Sequence, residues 1–101
     1  MMVIATENAP PRLRGRLSLW LREVRAGLYV GVYGRRVRER IWAETLAILP
    51  DGGEAASAVL IWTAPTESGF AFEAAGPNRR RTVALDGLPL VAFDPPEEGG
   101  A

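Results

Sequence analysis

Arginines and carboxylates make up nearly the whole chemical repertoire of this 101-residue sequence. Its twelve basic side chains are all arginine, twelve acids balance them, and it has no histidine or cysteine. That composition excludes imidazole bases, thiolate nucleophiles, disulfides and Cys/His zinc sites. Hydrolysis could rest only on carboxylates and a hard cation such as magnesium. Anion recognition is well supplied, because each guanidinium offers a planar fork of donors that matches a phosphate.

The arginines are crowded. Residues 1–40 carry nine of them against Glu7, Glu23 and Glu39, a net charge of +6, whereas residues 41–78 hold five acids and no base. Arg79, Arg80 and Arg81 follow, and four acids close the chain. A neutral total thus conceals a segregation that favours a polyanionic partner. Arg12, Arg14 and Arg16 fall at the start of one expected helix, and Arg35, Arg36 and Arg38 at the start of another. Helix N-termini favour negative charge, so each guanidinium there costs roughly a few tenths of a kcal/mol. A phosphate would satisfy both the free amide protons and the guanidinium forks at such an end. The competing expectation is that these side chains pair with Glu23, Glu39 or the acidic loops.

Arg79-Arg80-Arg81 follows a Gly-Pro-Asn stretch and reads as a loop that presses guanidinium groups onto a nucleic-acid backbone; a solvated loop is the plainer alternative. Contacts of this kind hold a duplex without reading its sequence. Glu7 stands at the end of the first expected strand. Two copies facing each other across a dimer axis could share one magnesium and form a small hydrolytic site. Alone, the same carboxylate suits a place beside a helix start or an arginine. Trp20, Trp42 and Trp62 recur at core spacing.

The elements that must position these groups follow from periodicity. Met2 to Thr6 reads as a short buried strand, and Pro10-Pro11 suits a first helical turn, where amide protons lack partners anyway. Leu13, Leu17, Trp20, Leu21 and Val24 make one stripe of a helix running to about Arg25 and stopped by Gly27. Leu28 to Tyr33 reads as a strand, broken by Gly34. Val37, Ile41, Thr45 and Ile48, widened by Trp42 and Leu49, line a second helix that ends at Pro50–Gly53. Ser57 to Thr63 is an apolar strand, followed by a turn at 65–69 and a return strand from Phe70. Val83–Leu85 and Leu88–Phe93 read as short strands around Asp86-Gly87.

The expected order is therefore β-α-β-α-β-β with a β-rich C-terminal segment. The fold class is α+β, a ferredoxin-like sandwich with two helices on one face of a largely antiparallel sheet. One domain spans 1–93, and residues 94–101, rich in proline, glycine and acid, form a disordered tail. The sheet face without helices carries apolar side chains, which calls for a homodimer. No apolar run is long enough for a membrane span and no signal-peptide layout opens the chain, so the expected location is cytoplasmic.

The run from Thr6 through Glu7-Asn8-Ala9-Pro10-Pro11-Arg12-Leu13-Arg14-Gly15-Arg16-Leu17, continuing at Trp20-Leu21 and Glu23–Gly27, resembles one family. Tyr29-Val30-Gly31, Ile41-Trp42, Glu67–Phe70, Asn78-Arg79-Arg80 and Leu85–Leu88 agree with it. The sequence is similar to CRISPR-associated protein 2 of the type I-E systems over residues 3–93. The resemblance implies a ferredoxin-like homodimer between two dimers of an integrase subunit, holding a duplex that the integrase inserts as a new spacer. It places the phosphate contacts at Arg12, Arg14, Arg16, Arg36, Arg38, Arg79 and Arg80, and a docking segment for the integrase at about 82–93. Other members are described as magnesium-dependent nucleases of single-stranded RNA or duplex DNA, with an aspartate pair at the end of the first strand. Here that position is Glu7, one methylene longer, which displaces the ligand oxygen.

Overall fold

Alternating burial makes the opening residues a central strand. In the computed structural model, which describes residues 1–77 in full and beyond them only the backbone of 80–85 and 88–93, β1 (Met2–Glu7) turns Met2 and Ile4 into the core. After it come α1 (Pro11–Trp20), β2 (Arg22–Arg25), β3 (Leu28–Gly31) and α2 (Arg35–Ile48), then a single 3-10 turn (Leu49–Gly52). Next are β4 (Ser57–Thr63) and β5 (Phe70–Ala75), and finally β6 (Arg80–Leu85) and β7 (Leu88–Phe93). Five strands form one antiparallel sheet in the order β2-β3-β1-β4-β5, and β6 and β7 pair separately. The β-α-β-β-α-β order with strands arranged β4-β1-β3-β2 is the ferredoxin-like arrangement, to which β5 adds an outer strand.

Both helices lie on one face. Leu13 and Leu17 of α1 meet Ile41, Trp42 and Ile48 of α2 over Met2, Ile4, Tyr29, Ala58 and Leu60 of the sheet. The helices run antiparallel, since Arg12 at the start of α1 reaches Asp51, just past the end of α2, at 3.2 Å. Strand alternation turns Val3, Ala5, Leu28, Val30, Val59, Ile61 and Phe72 to the sheet face away from the helices. No helix among the described residues is long and apolar enough to cross a membrane.

Two expected elements are corrected: Arg80 and Arg81, expected in a loop, open β6 because they pair in register with Phe93 and Ala92 of β7, and the first helix is shorter than its periodicity. The first helix ends at Trp20, not near Arg25, and Arg22–Arg25 forms β2 instead, with Val24 55% exposed rather than packed. Leu21 is already extended (φ −118°, ψ 159°). The reason lies at Gly27, whose φ of 80° bends the chain back into β3. Its N–H donates to the Glu23 carboxylate at 2.9 Å, and its carbonyl accepts from the Thr6 backbone N–H at 2.7 Å and the Thr6 hydroxyl at 3.1 Å. These ties dock the hairpin onto β1, and the sheet gains a strand that helical continuation would forfeit. The second helix matches expectation, although Val37 stays at the surface. The expected tail at 94–101 and the Asp86-Gly87 turn lie outside the described residues.

Tyr29 is fully buried, and its hydroxyl has no hydrogen-bond partner among the described residues. Burial pushes the phenol above its ordinary value near 10, outweighing the opposing pull of Arg14. A raised folded-state value means that the folded chain holds this proton where the unfolded chain loses it. The associated stability is complete below about pH 10 and is lost as pH rises through the folded value. Tyr29→Phe is expected to leave the melting temperature at pH 7 unchanged or higher and to flatten its decline above pH 10. Gly27→Ala would set a Cβ 2.8 Å from the Thr6 carbonyl oxygen at a left-handed position. Thermal denaturation is expected to show a loss of about 1–3 kcal/mol.

Candidate nucleic-acid interface

Neither helix start carries a group that neutralises its dipole. Pro10 precedes α1 and Gly34 precedes α2; neither makes a side-chain cap, and neither first turn contains an acid. Neither proline nor glycine has a side-chain acceptor to cap a helix, although at α1 Pro11 has no N–H and the Leu13 N–H already donates to the Pro10 carbonyl at 3.0 Å. Asn8, at φ 55°, breaks the chain out of β1 and fastens the turn by donating from its side-chain amide to the Ala55 carbonyl at 3.1 Å.

Because the helices are antiparallel, the two arginine groups occupy opposite ends of the helix layer. The fourteen residues of α2 span about 20 Å at ~1.5 Å per residue, comparable with about six nucleotide steps of ~3.4 Å along one strand of a duplex. The helix starts therefore do not converge on one phosphate. They suit separate points along an extended polyanion.

The sequence-derived residues are held in different ways. Arg12 pairs with Asp51 at 3.2 Å, Arg14 with Glu23 at 4.0 Å and Arg16 with Glu44 at 3.3 Å. Arg36 is exposed with no ion pair among the described residues. Arg38 lies over the Trp62 ring, 4.6 Å from its centroid. Arg79 lies outside the described residues, and of Arg80 only the backbone, at the start of β6, is described. The expectation of pairing with Glu23, Glu39 and the acidic loops is thus met in part, with Arg35–Glu39 at 3.0 Å as a further instance.

Magnitudes decide what these pairs mean. The arginine side chains of the α1 pairs are 68%, 57% and 49% exposed. An exposed pair contributes about 0–1 kcal/mol, so a phosphate that keeps the guanidinium charge satisfied can displace the carboxylate. Arg40 was not singled out from sequence, yet it reaches Glu44 at 3.6 Å and so shares that carboxylate with Arg16 across the two helices. Its signal was the i,i+4 spacing from Arg36, which places both on one side of α2.

Glu7 is exposed at the end of β1, opposite Ser57 of β4. A hollow of about 260 Å³ beside it is lined by Thr6, Ser57, Val59 and Ala74 among others. No group of three or more carboxylates or other metal-binding side chains gathers among the described residues. Magnesium is held by carboxylates together with water and substrate phosphates. Among the described residues, one carboxylate with two neighbouring hydroxyls is too poor a donor set to hold a resident cation.

A family model described as CRISPR-associated protein (Cas_Cas2CT1978) matches residues 1–90. The match takes in both helix starts, Glu7 and Arg79-Arg80-Arg81.

If the helix-layer carboxylates serve chiefly to hold guanidinium groups at the surface, their removal costs little. Glu44→Gln and Asp51→Asn are each expected to lower stability by less than about 1 kcal/mol in thermal melts.

Proposed function

The chain belongs to the Cas2-like CRISPR-associated family, and from that premise we propose that it is a homodimeric scaffold for spacer acquisition. In this reading the dimer clamps the phosphates of a short duplex while an integrase partner joins the duplex ends to the CRISPR array. The observation that carries it is the pair of uncapped, acid-free helix starts beset with arginines. Placing cations there costs stability in the free protein and is offset when an anion binds. Polyanion binding explains both groups together. Local ion pairing leaves Arg36 unexplained.

The apolar sheet face opposite the helices supports the homodimer. Val3, Val30, Ile61 and Phe72 there offer one continuous surface, which a second copy of the same sheet would bury. Docking of the integrase on residues 82–93 is part of the same reading, with β7 as the candidate strand. Phosphate contacts carry no base information, so the scaffold is expected to accept duplexes of any sequence. Chemistry stays with the integrase, and Glu7 has no catalytic part.

The test combines binding and integration. Affinity for a duplex of about thirty base pairs should fall linearly on a log–log plot against salt, with a slope of about −0.9 per phosphate contact. Reversing Arg14 and Arg16 to glutamate should abolish both binding and integration, with the dimer still folded by circular dichroism and sedimentation. Unchanged integration in that variant would refute the scaffold. Glu7→Gln should alter neither affinity nor integration; a loss of product formation with full affinity would instead assign metal-dependent chemistry to that carboxylate.

A further inference from the structure

Arg38 differs from its neighbours in what holds it. Arg12, Arg14, Arg16, Arg35 and Arg40 each face a carboxylate. Arg38 instead lies on the Trp62 indole, 4.6 Å from the ring centroid, and is half-buried there. The distinction is electrostatic. A carboxylate orients an arginine but cancels its charge and occupies the N–H edge that a phosphate would use. An aromatic face orients it through the ring quadrupole and leaves both the charge and the in-plane donors open.

Trp62 can serve as such a support because it is itself fixed. On β4 it is paired in register between Met2 of β1 and Ala71 of β5. Next to it Trp42, one turn after Arg38 on α2, donates its indole N–H to Glu73 of β5 at 2.9 Å. Arg38, Trp42, Trp62 and Glu73 border the same cleft, of about 250 Å³, between α2 and the sheet. The Glu73 carboxylate is engaged by the Trp42 N–H, and Glu39 by Arg35 at 3.0 Å. Neither forms an ion pair with Arg38.

We propose that Trp62 is a positioning residue for nucleic-acid binding: it preorganises Arg38, without neutralising it, as the leading phosphate ligand at the α2 end of the interface. The inference rests on the duplex-clamp reading given above. Its physical content is that a guanidinium already ordered on a rigid ring loses little freedom when a phosphate arrives, and no bound carboxylate has to leave first. Arg38 therefore contributes more to duplex affinity than Arg35 or Arg40, which are similarly placed in sequence but paired with acids.

A double-mutant cycle on the full chain tests this, with a fluorescent thirty-base-pair duplex followed by anisotropy at several salt concentrations and a melting curve for every variant. Trp62→Leu is expected to weaken binding about two- to five-fold, the size of an exposed cation–π contact, and Trp62→Phe to retain most of the affinity. Arg38→Gln should weaken binding at least as much and lower the salt slope by about one per contact. Once Arg38 is Gln, Trp62→Leu should have no further effect. A structural role for Trp62 would instead persist in the Arg38→Gln background, and that result overturns the inference. Should Trp62→Leu unfold, Arg38→Lys decides, since it keeps the charge but loses the flat stack; wild-type affinity there overturns the inference equally. An Arg38→Gln variant that binds normally, while reversal of Arg14 and Arg16 abolishes binding, removes only the positioning role. Normal binding in both removes the clamp itself.

Discussion

An exposed guanidinium–carboxylate pair contributes at most about 1 kcal/mol in water, and the helix layer of this protein is covered with such pairs. Arg12–Asp51, Arg14–Glu23 and Arg16–Glu44 each hold a cation along α1, and Arg12, in its first turn, takes the helix dipole's least favourable position. Pairs this weak would let one surface be stable alone and still receive the polyanion proposed above. Stronger, buried pairs at the same positions would be structural and closed to phosphate. Glu44 shows the economy of the arrangement, since a single carboxylate serves Arg16 from α1 and Arg40 from α2.

Antiparallel helices convert two local features into one extended surface. Each helix start is an anion-attracting end on its own, but the ferredoxin-like topology sets the two ends at opposite limits of the layer. A small free anion could touch only one of them. A nucleic-acid backbone, with charges repeating along its length, can touch both. The same topology gathers apolar side chains on the other sheet face, so a dimer formed through it would display two such helix layers on its outer sides.

Glu7 illustrates the opposite situation. Its position at the end of a central strand is conspicuous, yet among the described residues the hollow beside it is lined by Thr6, Ser57 and small apolar side chains, and no cluster of three metal-binding side chains forms. Carboxylate chemistry with a divalent cation needs several oxygen donors converging on one point. Among the described residues no such convergence occurs.

Most of the fold was legible because its signals are short-range. The spacing of Leu13 and Leu17 and of Ile41, Thr45 and Ile48 records which side of each helix is dry, and the apolar run from Ser57 records a buried strand. The arginine groups at Arg12–Arg16 and Arg35–Arg38 were visible for the same reason, since helix starts are local features. What sequence alone misjudged was Arg22–Arg25, where helical periodicity runs on through Val24 although the chain has turned. The preference there is settled by Thr6, some twenty residues away, whose N–H and hydroxyl bind the Gly27 carbonyl. Likewise, the arginine count was open to inspection, but which guanidinium faces a carboxylate and which lies on Trp62 depends on side chains brought together only by the sheet. Residue types and local spacing determined the kind of partner this surface suits. Tertiary structure decided which charges stand open to it, because pairing between distant side chains is a property of the folded surface.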